Sequence, residues 1–257
     1  MTASSGTLTI PARYCGPTDS ANGGVTAGLL AALVGSWGEP VTVTLRRPPP
    51  LETPMRVRLR SAAPDSAAAG EPEGARAEVE LFAGEVLVAE AAPGVFASDV
   101  VEPVDLEAAT AVHAEYRGLV AHPFPRCFVC GPQREVGDGL RLTPGPIGPG
   151  RTACGWVPHP TLAGPDDPSV VPPELGWAAL DCPGGWTSDL ERRPMVLGRM
   201  TAAVWSAPRV GHPQVVVGRL LAVEGRKTHT ATSLYDEGQL VGRAEQVWIA
   251  VDPDSFG

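Results

Sequence analysis

Asn22-Gly23-Gly24-Val25-Thr26-Ala27-Gly28-Leu29-Leu30-Ala31-Ala32-Leu33-Val34 is the stretch on which the fold turns. From Gly24 to Val34 the residues are small or aliphatic on every side, which belongs to a helix enclosed by other elements and not to one lying on a surface. Asn22 or Ser20 supplies the N-cap. Beyond Pro40 the period changes to two: Val41, Val43 and Leu45 alternate with Thr42, Thr44 and Arg46, and Val57 and Leu59 alternate with Arg56, Arg58 and Arg60. These are half-buried strands. A helix apolar all round needs a sheet wrapped about it, and a curved antiparallel sheet provides one.

Working outward, Leu8 to Tyr14 is a short run containing β-formers, and Cys15 to Ser20 is turn-rich. After an Ala/Pro/Gly-rich loop at Ala62 to Gly74, two more strands are expected at Ala77 to Phe82 and Val86 to Ala91, joined at Ala83-Gly84. The same order then returns. Thr152 to Val157 reads as a strand, Pro158 to Pro172 as a long loop, and Glu174 to Cys182 as a second enclosed helix. Strands follow at Met200 to Ser206, Gln214 to Glu224, Thr228 to Tyr235 and Leu240 to Val251. Pro49 and Pro54 match Pro208 and Pro213 in spacing, and Leu81-Phe82-Ala83-Gly84-Glu85-Val86 resembles Leu234-Tyr235 with Gly238-Gln239-Leu240, a weak internal repeat in register with the elements. The expected organisation is an N-terminal domain over residues 1–100, a connector over 101–126 with a helix from Leu106 to Tyr116, and a C-terminal domain over 127–257.

Composition narrows the function classes. With 257 residues, 43% of them hydrophobic, the chain can bury a substantial core. Thirty glycines and 28 prolines approach the level of low complexity. Their places at strand ends, helix entries and loops make them the punctuation of short, sharply turning elements instead. The formal net charge is -9, and Lys227 is the only lysine among the cations, which excludes phosphate-backbone recognition and nucleic acid as a partner. Met1 to Ile10 has neither the basic nor the apolar region of a signal peptide, and an odd set of five cysteines fits a reduced, cytoplasmic protein. Val25 to Trp37 is too short to span a bilayer and is broken by Gly28 and Gly35, so no membrane association is expected.

The arrangement resembles the α+β hotdog fold in tandem, each half a curved antiparallel sheet around a central helix, as in the double-hotdog acyl-CoA thioesterase-like family of the thioesterase superfamily. Asn22-Gly23-Gly24-Val25 and Val41-Thr42-Val43-Thr44-Leu45-Arg46-Arg47-Pro48 are similar to that family's N-terminal half, where an Asn-Gly-Gly or His-Gly-Gly turn opens the helix and the first long strand ends in Arg-Pro. Cys127-Phe128-Val129-Cys130-Gly131-Pro132 with Gly139-Leu140 resembles a leader of phenylacetyl-CoA-type hotdog thioesterases. Trp177-Ala178-Ala179-Leu180-Asp181 resembles their helix bearing a catalytic aspartate. The resemblance covers nearly the whole chain and implies an acyl-CoA or similar thioester as substrate, with no cofactor. In the single-domain enzymes the glycine turn of one subunit faces the aspartate of the other. Two tandem halves already form that pairing, and a homodimer of double-hotdog chains is compatible with it.

Thioester hydrolysis needs a carboxylate, to attack or to activate water, and donors for the developing oxyanion. The two requirements are divided here. The first helix keeps Asn22-Gly23-Gly24 but has Ala31 and Ala32 where an acid is expected, while the second has Asp181 but opens with Pro172-Pro173-Glu174. This points to one composite site, with Gly23 and Gly24 as backbone donors, Asp181 as the acid, and the mirror-related site dead. Asp181 also has a plain reading as a residue closing a helix before Pro183-Gly184-Gly185, and Asn22-Gly23-Gly24 one as an ordinary capped start. Asn22 and Glu174 are assigned to substrate binding; Glu174 is an alternative acid or only a favourable first-turn carboxylate. Arg199, Arg226 and Lys227 are candidates for the phosphates of coenzyme A, or a solvated strand edge. A non-catalytic acyl- or small-ligand-binding protein would use the same residues.

Cys127-x-x-Cys130 invites a metal reading that His122 and His159 would complete. With no second pair at ligand spacing, and Cys15, Cys154 and Cys182 isolated, a packed turn is the expectation and no metal is assigned. Gly145 to Gly150 reads as a loop, not a nucleotide fingerprint. Gly35-Ser36-Trp37-Gly38 lacks the spacing of a nucleophile elbow. The acyl group is not encoded in composition.

Overall fold

A computed structural model of the chain describes residues 6–35, 38–61 and 77–252. The loop expected at 62–74 and the Ser36-Trp37 dipeptide lie outside the described residues. The enclosed helix forms as α1, Gly23–Ala31, with every residue from Gly24 to Ala31 buried. Before it stand the two-residue strand β1, Thr7–Leu8, and a 3-10 turn at Ala12–Tyr14, so the Leu8 to Tyr14 run extends only at its start. The alternating stretches become β2 (Val41–Leu45), β3 (Met55–Ser61), β4 (Ala77–Ala83) and β5 (Val86–Pro93). The following segment contains α2, Leu106–Ala111, capped by Asp105, and then two 3-10 turns.

The later part carries β6 (Gly145–Gly148), β7 (Arg151–Trp156), α3 (Pro173–Ala179), α4 (Cys182–Gly185) and the long strands β8 (Met195–Val204), β9 (Gln214–Glu224), β10 (Lys227–Asp236) and β11 (Gln239–Ala250). Three departures from the expected elements are the largest in this part. β6 is a strand and not a loop, because it lies at the sheet's outer edge, where Pro146 removes no required hydrogen bond. β8 starts five residues early, at Met195, because β11 pairs with it along that whole length. The second helix breaks at Leu180 and restarts as α4, whose first turn holds Pro183.

All strands join one antiparallel sheet in the order β1-β3-β4-β5-β2-β8-β11-β10-β9-β7-β6. Counted outward-in from β1, the first segment reads first-third-fourth-fifth-second. Counted from β7, the later segment has the same order, and the two meet where β2 pairs with β8 (Val41 with Ala202 to Thr44 with Arg199). At that seam the Thr42 and Thr201 hydroxyls lie 2.8 Å apart.

Helices α1 and α3 pack on each other against the middle of the sheet. Their contact depends on small residues. A Cβ on Gly28 would lie 2.6 Å from the Glu174 carbonyl oxygen, and one on Gly24 would lie 2.6 Å from Asp181 Cβ. Among the described residues no helix is long and apolar enough to cross a membrane.

Candidate functional site

Asn22 ends the turn before α1 and caps it, its Oδ1 accepting from Val25 N at 2.9 Å. That leaves its amide Nδ2 free to donate elsewhere, and it reaches Asp181 Oδ2 at 3.0 Å. Gly24 N–H donates to the same oxygen at 3.2 Å. A carboxylate from the junction of α3 and α4 is thus held by the N-terminus of α1, where aligned N–H dipoles favour negative charge. Asp181 is 2% exposed and makes no capping bond to its own helix. The last turn of α3 is instead satisfied from the sheet, where Thr232 Oγ1 and Gln246 Nε2 both donate to the Leu180 carbonyl at 2.7 Å. Asp181 closes the turn through its backbone, its N–H donating to the Ala178 carbonyl and its carbonyl accepting from Gly184 N–H, both at 3.1 Å, while its side chain is turned to α1.

The second carboxylate oxygen, Oδ1, is buried and has no hydrogen-bond partner among the described residues. Burial pushes the Asp181 carboxyl up to about 7; the nearby Cys127 sulfur adds to this, and the Gly24 and Asn22 donors work against it.

Asp181 borders a cavity of about 370 Å³, within the size range of small-molecule pockets. Asn22 and Gly23 from the first segment line it, as do Cys127, Cys130, Cys182 and His122, with Leu197, Trp248 and Ile249 on the sheet side. Arg46, Arg47 and Arg226 also border it, and all three are exposed.

The structure therefore brings together Asn22, Gly23, Gly24 and Asp181, with Arg226 at the cavity. Glu174 lies in the first turn of α3 with its backbone against Gly28, and does not line the cavity. Arg199 lies outside the lining and donates to Thr44 Oγ1 across the seam at 3.2 Å. Lys227 is exposed at the start of β10, also outside it. Gly24 N–H, expected to serve an oxyanion, is engaged by Asp181 itself. The sequence marks Arg46 and Arg47 only as part of an Arg-Pro strand end; the structure places both on the cavity wall, just past β2.

The cysteines depart most from expectation. Cys182 is not isolated: its Sγ lies 3.8 Å from Cys127 Sγ, and the sulfurs of Cys127, Cys130 and Cys182 all lie within 4.8 Å of one another. Hydrogen bonds from the neighbouring thiols hold Cys127 well below the usual thiol range, while burial pushes Cys130 and Cys182 up. His122 Nε2 is 3.3 Å from Cys130 Sγ, whereas His159 serves a local turn with Thr161.

No protein-family model matches the chain, and no curated protein matches it in sequence. Solved structures do match. A conserved protein of unknown function with a hotdog fold from Alicyclobacillus acidocaldarius aligns over 96% of this chain and 93% of its own, with a TM-score of 0.60 at 12% identity. The chain has the hotdog fold. A tesB protein from Mycobacterium avium subsp. paratuberculosis matches over 98% and 96% (TM-score 0.59, 13% identity). A candidate thioesterase from Novosphingobium aromaticivorans matches over 96% and 95% (TM-score 0.58, 14% identity). At these identities the shared hotdog architecture is what the likeness establishes.

Proposed function

We propose that this hotdog protein is a tandem, double-hotdog hydrolase of coenzyme A thioesters, with domains at 1–100 and 127–257 joined by 101–126 and one composite site between them. The equal strand order of the two segments and the direct packing of α1 on α3 support the tandem reading. The observation that carries the function is the buried Asp181 carboxylate at the edge of a ligand-sized cavity: one oxygen is fixed by Asn22 and Gly24, and the other has no partner among the described residues.

In this reading Asp181 Oδ1 takes a proton from water as the water oxygen bonds to the thioester carbonyl carbon. The C–S bond then breaks and the departing thiolate takes a proton, giving a carboxylic acid and free thiol. Because Gly24 N–H is committed to Asp181, the amide of Gly23, on the cavity wall, is the donor assigned to the oxyanion. Arg46, Arg47 and Arg226 border the cavity and are assigned to the coenzyme A phosphates; Arg46 is paired with Glu90 and Arg226 donates to the Ala250 carbonyl, partners a phosphate has to share or replace. The five cysteines, all free and buried, suit a reducing, cytoplasmic setting.

The test is thiol release from a panel of acyl-CoA esters by wild type and Asp181→Asn. Wild type should turn over at least one ester; the variant, which keeps an acceptor oxygen for Gly24 and Asn22, should stay folded and lose turnover by a factor of 100 or more, on the order expected of a lost general base. Undiminished turnover by Asp181→Asn would sink the mechanism. A second reading, a non-catalytic acyl-binding protein, draws on the occupied Gly24 amide; binding of the esters without thiol release in wild type would select it.

A further inference from the structure

We propose that Cys127, Cys130 and Cys182 form a three-thiolate site for a thiophilic divalent ion of the zinc class, set in the wall of the cavity beside Asp181. The inference is independent of whether Asp181 hydrolyses a thioester.

The geometry is that of a shared ion. At a Zn–S length of about 2.3 Å, the edge of a coordination tetrahedron is about 3.8 Å. Cys127 and Cys182 stand at that separation, 3.8 Å, across 55 residues of chain, and Cys130 lies within 4.8 Å of both. Cys127 and Cys130 come from one tight turn, closed by Gly131 N–H donating to the Cys127 carbonyl at 2.9 Å. A side chain at 131 is excluded, since its Cβ would lie 2.6 Å from Cys127 N and O. Three soft sulfurs with no carboxylate among them select zinc-class ions over magnesium or calcium.

The surroundings also suit thiolates. His122 Nδ1 accepts from Phe124 N–H at 2.9 Å, which puts the ring proton on Nε2, 3.3 Å from Cys130 Sγ. His122 is therefore a donor to that sulfur and not a fourth ligand. Asn22 Nδ2 faces Cys127 Sγ at 3.7 Å. Such donors to ligand sulfurs spread the excess negative charge of a three-thiolate centre. All three cysteines line the cavity, which gives an ion its entry path and leaves its fourth position to water or a small ligand there. On loading, each sulfur yields its proton to solvent as its bond to the ion forms.

The test is titration of reduced, chelator-treated full-length protein with Co²⁺, followed by displacement with Zn²⁺. Wild type, Cys15→Ser and Cys154→Ser should each take up one ion per chain, with thiolate-to-cobalt charge-transfer absorption and the intense visible bands of a tetrahedral centre. Cys130→Ser and Cys182→Ser, checked for folding by circular dichroism, should lose at least 100-fold in affinity. Folded, reduced wild type that shows no charge-transfer band would overturn the site and leave the cluster a set of mutually hydrogen-bonded thiols. Retention of stoichiometric, thiolate-bound cobalt by both folded serine variants would overturn it equally.

Discussion

Asn22 does two jobs with one amide. Its oxygen caps α1 and its nitrogen holds Asp181, so the residue couples helix formation to the placement of the acid. Asn22→Ala should cost about 1–2 kcal/mol in urea unfolding, the usual loss for a removed N-cap, and should also lower turnover. Asn22→Ser separates the two roles. The hydroxyl restores the cap but is too short to replace the amide at Asp181, so stability should return to near wild type while kcat stays low. Equal recovery of both would show that Asp181 needs no donor from this position. The meeting of the Gly23-Gly24 turn with Asp181 was legible in the sequence because a glycine turn without an acid and an acid without a glycine turn sit on separate helices, whereas Asn22, assigned there to substrate, holds Asp181 instead. The cysteine cluster was not, since nothing in linear spacing brings Cys182 beside Cys127; the turn at Cys127–Gly131 has to dock against the start of α4 before the three sulfurs meet.

At the scale of elements, the close crossing of α1 and α3 is set by Gly24 and Gly28, one helical turn apart on the same face. Gly28→Ala would place a methyl group 2.6 Å from the Glu174 carbonyl oxygen and 2.7 Å from its Cα, backbone atoms that can move only with their helix. The gain in helix propensity is about 1 kcal/mol. Overpacking of this kind costs typically 1–3 kcal/mol, so the balance should be a lower melting temperature, measured calorimetrically. The strands were legible where apolar and polar residues alternate, as in Val41 to Leu45 and Met55 to Arg60. They were less so at β6, whose edge position is a property of the sheet and not of Gly145–Gly148. The same limit explains Arg199: Met195 to Gly198 border the cavity, β8 shifts register against β11 at Gly198, and beyond that shift Arg199 reaches Thr44 across the seam.

Across the whole molecule, the two segments are joined by more than the chain. β2 pairs with β8 in an unbroken sheet, and α1 packs on α3 beneath it. The connecting segment passes through exposed residues, Val120 being 94% exposed. A protease site inserted after Val120 and then cleaved should therefore leave the two fragments as one particle in size-exclusion chromatography, separating only in denaturant. Fragments that part under native conditions would show that the seam holds only when covalently tethered.

The clamp on the Leu180 carbonyl has a temporal consequence. Thr232 and Gln246, on β10 and β11, fix the peptide that precedes Asp181, while Asn22 and Gly24, far upstream in the chain, fix its side chain. Contacts so distant along the chain form late, after most of the loop-closure entropy has been lost. During synthesis, a nascent chain still holding Gln246 in the ribosome has the acid, its Asn22 and Gly24 donors and Thr232, but not the second donor to the Leu180 carbonyl. The peptide before Asp181 gains its second anchor only when β11 docks between β8 and β10.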